Sequence, residues 1–338
     1  MLIARAPTRI SYAGGGTDID AYSAQHGGMV VSAAIDKYFY VFISPNGGGA
    51  LQISSADYRA FLRYGANGDP IGVGGELKHA EAAFQYAGIS HGYSVFMASQ
   101  VPAGTGLGSS SAVAVALIKA LSTLKHLSLS KAELAAAACE IELGRLRMPI
   151  GRQDQYASAF GGINAIYFSA SGVRVEKLEV PDGTLGRLQR ETMLFYTGAV
   201  HDSAVILRDQ KARMTDTERS NLGQLHAIKR AAEMTRDALL EGDVERVGPI
   251  MDEAWEAKKS LSDGITNQTI DKAYCSARHA GALGGKIAGA GGGGFMVLIC
   301  PPDRQAAVEA ALHAQGLVRA DFNFDFAGAR VLMNNVAD

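Results

Sequence analysis

Apolar and polar residues along the first hundred positions alternate with a period of two, and this pattern predicts a sheet. Successive side chains of a strand point to opposite faces, so alternation is typical of strands with one buried face. Asp36 and Lys37 interrupt the pattern and are expected to form a tight turn. The predicted strands in this part cover residues 2–13, 29–35, 38–44, 51–55 and 93–101.

Helical spacing, with apolar residues three and four positions apart, becomes frequent after residue 75. Ser130 and Glu133 have the spacing of a capping box at the start of one such segment. A short helical turn is expected to open at Asp154, followed by strands. The predicted helices cover 76–87, 112–124 and 130–143, and the strands that follow cover 163–168 and 173–180.

The pattern changes around residues 181–186, which predicts two domains, 1–186 and 187–338. The second part mixes helices and strands, so the fold class expected for the chain is α+β. Its predicted elements are a strand at 192–196, helices at 217–240, 244–261 and 267–280, a strand at 295–300, a helix at 304–315 and strands at 322–326 and 329–333.

The segment VPAGTGLGSSSA, residues 101–112, joins a predicted strand to a predicted helix. Its glycines let backbone N–H groups approach a ligand closely, and the helix start that follows favours an anion. Taken alone, the segment is equally compatible with a plain connector in which a serine caps the helix. The glycines and hydroxyl residues concerned are Gly104, Gly106, Gly108, Ser109, Ser110 and Ser111.

Two further glycine-rich segments favour anion binding over a plain connector. Gly14, Gly15 and Gly16 precede Thr17 and Asp18, and GGKIAGAGGGGF covers residues 284–295. Three such loops together favour phosphate binding. The segment at 101–112 has no GK[ST] after its glycines and no acidic residue at the position that a dinucleotide-binding unit requires, so it is neither a Walker A loop nor a dinucleotide fingerprint.

Composition narrows the class of ligand. The formal net charge is −2 with charges of both signs interspersed, so neither a nucleic acid nor a membrane surface is expected as a partner. Cys139, Cys275 and Cys300 are scattered and predict neither disulfides nor a zinc site. Without a secretory leader or an apolar span, a cytoplasmic protein with a small-molecule ligand is expected.

Carboxylates at two places along the chain are candidates for a metal-binding or catalytic role. Glu140 and Glu142 lie near the end of a predicted helix, where the helix dipole favours cations, so they are either solvent-exposed or paired with a counter-charge such as a metal. Asp154 is either the N-cap of its short helical turn or a functional acid.

The segments APTRISYAGGGTD, VPAGTGLGSSSA and KIAGAGGGG resemble the three ordered motifs of the GHMP small-molecule kinases. The pieces GGGTDIDAY, GRQDQYASAFGGINAI, WEAKKSLSDGITN and GALGGKIAGAGGGGF resemble the heptose-phosphate kinases within that superfamily. The resemblance implies an N-terminal ribosomal-protein-like α+β domain and a C-terminal ferredoxin-like domain. It also implies ATP and Mg²⁺ as co-substrate and metal, and transfer of a phosphoryl group to the anomeric hydroxyl of a heptose 7-phosphate.

The resemblance assigns roles position by position. Asp154 corresponds to the catalytic aspartate and Arg9 to the basic residue beside it, while Ser110 and Glu142 correspond to the Mg²⁺ ligands. The residues implied to bind ATP are Gly104, Thr105, Gly106, Leu107, Gly108, Ser109 and Ser111. Those implied to bind the substrate are Gly15, Gly16, Thr17, Asp18, Arg152, Gly291 and Gly292.

The acceptor sugar is less well defined. A phosphorylated sugar needs cations, for which Arg152, Lys258 and Lys259 are candidates alongside the interpretation that they are ordinary surface residues. His201 and Asp202 stand where a basic residue and a serine are expected in the nearest relatives. A C1 kinase for another sugar and a non-catalytic sugar and nucleotide sensor therefore remain alternatives. The oligomeric state stays open, with a homo-oligomer possible.

Overall fold

The computed structural model describes residues 1–65, 71–198, 203–215 and 221–336. Its strands are β1 (Leu2–Ala13), β2 (Gly28–Pro45), β3 (Leu51–Ser55), β4 (Ala60–Tyr64), β5 (Tyr93–Ser99), β6 (Ile163–Ser169), β7 (Gly172–Lys177), β8 (Thr192–Tyr196), β9 (Gly284–Ile287), β10 (Phe295–Ile299), β11 (Val318–Arg319) and β12 (Arg330–Asn334). Its helices are α1 (Asp20–His26), α2 (Lys78–Ala87), α3 (Ser109–Leu124), α4 (Lys131–Cys139), α5 (Gln153–Phe160), α6 (Thr184–Glu191), α7 (Ser203–Thr215), α8 (Leu222–Leu240), α9 (Val244–Lys259), α10 (Gln268–Ala280) and α11 (Gln305–His313).

The larger sheet has the strand order β12-β1-β2-β5-β3-β4, and β6 and β7 extend it from β2. Its pairs are antiparallel except for β3 with β5. One face of this sheet packs against α2, α3, α4 and α5 and buries the alternating apolar residues of β1 and β2 with them. This packing explains the period of two at the start of β1 and in the second half of β2, whereas the rest of both strands is buried on both faces.

The smaller sheet is antiparallel with the order β11-β8-β10-β9. A second apolar core joins the two sheets, since it contains Ile10 of β1, Val31 of β2, Val247 of α9 and Val297 of β10. The α+β class expected from the sequence is confirmed. The boundary at residue 186 stays a prediction, and α6 runs across it.

The predicted turn at Asp36 and Lys37 is wrong. β2 continues through both residues, and its register with β1 shifts between Pro7 and Thr8 so that the two extra residues form a bulge. A bulge keeps the strand continuous while it bends, and Pro7 has no N–H to donate to the partner strand. Sequence reasoning also missed α1, β4, α6, α7, β9 and β11.

The C-terminal segment returns to the larger sheet. The predicted strand at 322–326 is wrong, because this stretch makes only an isolated bridge between Phe324 and Ile35. The strand predicted at 329–333 forms as β12 and pairs with β1. Within the described ranges, no helix is long and apolar enough to cross a membrane.

Candidate active site

A cavity of about 300 Å³ lies where the two sheets meet. The glycine segment before α3 and the first turn of α3 form one wall, and α9 and the third glycine segment form another. The titratable side chains that line it are Arg9, Asp18, Lys78, Asp154 and Lys258. The three glycine-rich segments, far apart in the sequence, therefore contribute to one site.

The glycine segment before α3 is shaped by positive φ angles. Gly104, Gly106 and Gly108 have φ of 74°, 84° and 75°, a region that side chains with a Cβ rarely adopt. Gly108 is the N-cap of α3, and no side chain caps the helix start. The interpretation with a serine N-cap is therefore wrong. The first N–H groups of α3 keep the capacity to bind an anion.

The third glycine segment packs directly on the backbone of the second. A Cβ at Gly106 would stand 2.5 Å from the carbonyl oxygen of Ala288, and the N–H of Phe295 donates to the carbonyl of Thr105 at 3.1 Å. The side chains of Thr105 and Leu107 are fully buried, so only their backbone is available to a phosphate. Glycine is required here because two backbones meet with no room for side chains.

Arg9 connects Asp154 to the glycine segment before α3. Its Nη2 lies 2.6 Å and its Nε 2.9 Å from Oδ1 of Asp154, and its Nη1 donates to the carbonyl of Gly106. Oδ2 of Asp154 accepts no hydrogen bond from any residue that the structure describes. A Cβ at Gly108 would lie 3.0 Å from this Oδ2. Asp154 is thus anchored through one oxygen, and the other lies beside the helix start.

Asp154 is not the N-cap of α5, because that position is Arg152 and no side chain caps this helix. Burial raises the pKa of Asp154, while the charge of Arg9 opposes the rise and the charges of Asp18 and Glu142 add to it. Burial, with the charge of Arg9, lowers the pKa of Lys258 to about 8. The Lys258 ammonium donates to the carbonyl of Gly289 in the third glycine segment.

Glu142 reaches the site through an irregular helix. The chain continues α4 as a π-helical turn, Glu140–Arg145, which leaves Glu140 exposed and turns Glu142 fully inward. Its Oε1 lies 3.3 Å from the hydroxyl of Ser110 and 3.3 Å from Nε2 of His79. Its Oε2 accepts from Nε2 of Gln155 at 2.5 Å. The predicted metal pair, Ser110 and Glu142, is therefore brought together.

Ser110 and Glu142 supply oxygen ligands that suit Mg²⁺, but two side chains are too few to hold the ion by themselves. A carboxylate and a hydroxyl are oxygen ligands of the kind that Mg²⁺ uses together with substrate phosphates and water. Among the described residues, no group of three or more His, Cys, Asp or Glu side chains could hold a metal by itself. Glu142 is buried among Ser110, Gln155 and His79, and only protonated His79 would supply a positive charge. A cation beside Ser110 would compensate this buried charge.

Asp18 and Thr17 have different environments. Asp18 lines the cavity, with Oδ1 accepting from the N–H of Gly16 at 2.9 Å and from Nε2 of Gln153 at 3.1 Å. The Thr17 hydroxyl donates to the carbonyls of Gly14 and Met29 and accepts from the N–H of Met29. Thr17 is fully buried, so the structure gives it a structural place outside the cavity.

Four other candidates do not line the cavity. Arg152 pairs with Asp20 at 2.8 Å, and Lys259 pairs with Glu256 at 2.7 Å. Gly291 and Gly292 pack against the backbone of Ile265. Gly15 and Gly16 do line it. His201 and Asp202 lie outside the described residues.

Several lining residues were missed by sequence reasoning, notably Lys78 of α2, Gln153 of α5 and Gln210 of α7. Gln153 stands next to Asp154 in the GRQDQ segment, which is a signal that could have pointed to it. No local signal marks Gln210, because α7 itself was not predicted.

A backbone cradle for phosphates beside an anchored carboxylate is the site of a phosphotransferase. The family description "GHMP kinases N terminal domain" matches residues 77–162, and "GHMP kinases C terminal" matches residues 235–317. The chain belongs to the GHMP kinases. The resemblance expected from its three motifs is confirmed, and ATP is the co-substrate that this family membership implies.

Individual relatives agree with this assignment. The chain is 31% identical over 333 residues to the D-glycero-alpha-D-manno-heptose 7-phosphate kinase of Campylobacter jejuni, covering 96% of this chain and 97% of that protein. It is 28% identical to the L-fucokinase/L-fucose-1-P guanylyltransferase of Bacteroides fragilis, covering 90% of this chain and 35% of that longer protein. A crystal structure described as a D-glycero-D-manno-heptose 1-phosphate kinase from Bacteroides thetaiotaomicron superposes with a TM-score of 0.82 at 28% identity, covering 99% of this chain and 100% of that chain.

Proposed function

We propose that this kinase transfers the γ-phosphoryl group of ATP to the anomeric hydroxyl of D-glycero-D-manno-heptose 7-phosphate, which yields the 1,7-bisphosphate. The observation that carries the proposal is the half-anchored Asp154, whose free Oδ2 lies beside the start of α3. The Campylobacter jejuni relative supports the choice of sugar. Since the reaction consumes ATP, we also propose a cytoplasmic location and a role in a route to heptose-containing surface polysaccharide.

The ATP phosphates would lie against the backbone of Gly104 to Gly108 and the first N–H groups of α3. Gly104, Gly106 and Gly108 keep side chains out of this space, and the helix dipole favours the negative charge. Ser109 and Ser111 are largely buried and would serve mainly through their N–H groups. Most of the catalysis in phosphoryl transfer comes from such positioning and charge stabilisation.

Asp154 would orient the acceptor and take its proton. The anomeric oxygen bonds to the γ-phosphorus, the bond from that phosphorus to the β-phosphate oxygen breaks, and ADP leaves. The hydroxyl proton passes to Oδ2 of Asp154, since Oδ1 is already occupied by Arg9. Burial raises the pKa of Asp154, which makes it a better proton acceptor than an exposed carboxylate, while Arg9 limits the rise.

Ser110 and Glu142 would hold Mg²⁺, whose charge would neutralise the phosphates during transfer. Of the three cations considered for the substrate phosphate, only Lys258 lines the cavity. Arg152 and Lys259 each have a carboxylate partner already. We therefore propose Lys258 as the cation that faces the bound anions.

A C1 kinase for a fucose-like or galactose-like sugar is the second candidate, supported by the match to the Bacteroides fragilis fucokinase. It would use the same Asp154 and glycine loop. A non-catalytic sensor is a weaker alternative, because Asp154, Arg9 and the Ser110–Glu142 pair are all assembled.

The test is ADP release from ATP with a panel of acceptors: heptose 7-phosphate, heptose 1-phosphate, mannose 6-phosphate, fucose and galactose. We expect the highest kcat/KM with heptose 7-phosphate and a product phosphorylated at C1. Preference for fucose or galactose would support the second candidate, and preference for heptose 1-phosphate would overturn the proposed site of transfer. Absence of turnover with every sugar would favour the sensor.

A further inference from the structure

The side-chain amide of Gln210 lies in the cavity wall without a hydrogen-bond partner. Gln210 is 1% exposed, and its Nε2 is buried with no acceptor among the described residues. A buried amide left unpaired destabilises the folded state, and most buried polar groups in native proteins are paired. Because Gln210 lines the cavity, a molecule bound there is a source for the missing partner.

Helix α7 places Gln210 in the wall of the cavity. Ala204, Leu207 and Gln210 line the cavity at intervals of three residues, which puts them on one helix face. Ile206 is buried on another side, against the loop at Gly264. Gln210 is thus part of a fixed wall of the site.

An ion-pair network fixes the rotation of α7. Asp209 accepts from the hydroxyl of Ser262 at 2.6 Å and pairs with Arg213 at 3.0 Å. Arg213 also lies 3.3 Å from Asp263. Ser262 and Asp263 follow directly after α9, the helix that carries Lys258, so the two walls of the cavity are tied together.

A second unpaired amide atom belongs to the same cavity. Gln153 donates through Nε2 to Asp18 at 3.1 Å, and its Oε1 is buried with no donor among the described residues. Gln153 lines the cavity and bonds Asp18, a residue implied to bind the sugar, so this free acceptor belongs to the acceptor side of the cavity. The cavity therefore offers an unused donor on α7 and an unused acceptor on α5.

The chemistry of these atoms favours a hydroxyl over a phosphate. A hydroxyl both donates and accepts, so it can satisfy an amide N–H and an amide oxygen. A phosphate dianion offers acceptors alone and would leave Oε1 of Gln153 unpaired and close to negative charge. We propose that Gln210, together with Gln153, binds a hydroxyl group of the acceptor sugar and selects acceptors that carry it. This inference rests on the proposed function.

The test compares Gln210→Leu and Gln210→Glu with the unchanged enzyme, using heptose 7-phosphate and its 2-, 3-, 4- and 6-deoxy analogues. Gln315→Leu is the matched control, since the Gln315 amide bonds only to the carbonyl of Ala311 and lies outside the cavity. For Gln210→Leu we expect kcat/KM for the sugar to fall about 10- to 100-fold, with KM for ATP unchanged. One deoxy analogue should lose rate with the unchanged enzyme but not further with Gln210→Leu.

Gln210→Leu should keep or raise the melting temperature, because it removes an unpaired buried amide. A fall in melting temperature without a change in kcat/KM would assign Gln210 a structural role and overturn the inference. Gln210→Glu should bind the sugar better than Gln210→Leu, since a hydroxyl can donate to a carboxylate; the reverse order would identify a phosphate as the partner instead.

The acceptor panel keeps the two proposals apart. If the unchanged enzyme phosphorylates heptose 7-phosphate while both variants match it, the inference fails and the proposed function stands. If another sugar is preferred, the same comparison with that sugar tests Gln210, and only the choice of heptose fails. If no sugar is phosphorylated, both are overturned.

Discussion

The phosphate end and the acceptor end of the cavity are built in different ways. At the phosphate end, backbone atoms form the surface and Arg9 connects Asp154 to the glycine loop. At the acceptor end, side chains form the surface, and atoms of Gln153 and Gln210 are left unpaired. The phosphate end keeps an uncapped helix start and the free Oδ2 of Asp154, whereas the acceptor end keeps buried amide atoms without a partner among the described residues. In the proposed function, the first end carries the catalytic residues and the second end carries those that select the substrate.

The sharpest test of the phosphate end is Asp154→Asn. The amide keeps the shape and can still accept from Arg9, but it cannot take a proton, so we expect kcat to fall about 1,000-fold. The melting temperature and the affinity for ATP should stay close to those of the unchanged protein. Rates are measured by ADP release at saturating sugar. Turnover within a few-fold of normal would remove Asp154 from the reaction.

Glu142→Gln tests whether the buried carboxylate serves the metal. The variant keeps the volume but loses the charge and one of the two acceptor oxygens, so the Mg²⁺ concentration for half-maximal rate should rise about 10- to 100-fold. Excess Mg²⁺ should restore most of the rate. The exposed Glu140 nearby gives the control variant Glu140→Gln, which should leave the titration unchanged. Identical Mg²⁺ titrations for Glu142→Gln and the unchanged enzyme would contradict the metal role.

The pH dependence of kcat/KM tests whether Lys258, which lines the cavity, contacts the bound anions. Its pKa is lowered to about 8, so the ammonium loses its proton as the pH rises through that value. If the charge contacts bound anions, kcat/KM falls above pH 8. Lys258→Met should lower kcat/KM about tenfold at pH 7 and abolish this decline. Lys259→Met, at the neighbouring surface pair, is the control. A decline that persists in Lys258→Met would assign it to another group.

Thr17→Val has the smallest expected effect on activity and tests the acceptor end. The Thr17 hydroxyl serves only backbone groups, so its loss should lower the free energy of unfolding by about 1–3 kcal/mol. KM for the sugar should stay the same, as measured by initial rates below the unfolding temperature. A raised KM with unchanged stability would restore Thr17 to the sugar-binding residues implied by the resemblance.

Local patterns in the sequence predicted most elements, because burial of one face imposes a period of two or 3.6. The capping box at Ser130 and Glu133 forms as predicted, with both reciprocal hydrogen bonds present. The bulge at Asp36 and Lys37 could not be predicted, since it depends on the register with β1. The C-terminal strand pairs with β1 from the other end of the chain, which no local pattern encodes.

In the candidate site, too, some features follow from local sequence and others depend on contacts between distant segments. The sequence by itself determined the backbone shape of the proposed phosphate end, because a loop with several positive φ angles requires glycines in one segment before the helix start. Apart from Asp18, which the resemblance already implied, tertiary structure decided which side chains reach the proposed acceptor end. Thr17 and Arg152 turn away toward partners in the protein, while Gln210 is held in the cavity wall by contacts between α7 and the loop after α9. These orientations depend on packing between distant segments, which no spacing within the sequence records.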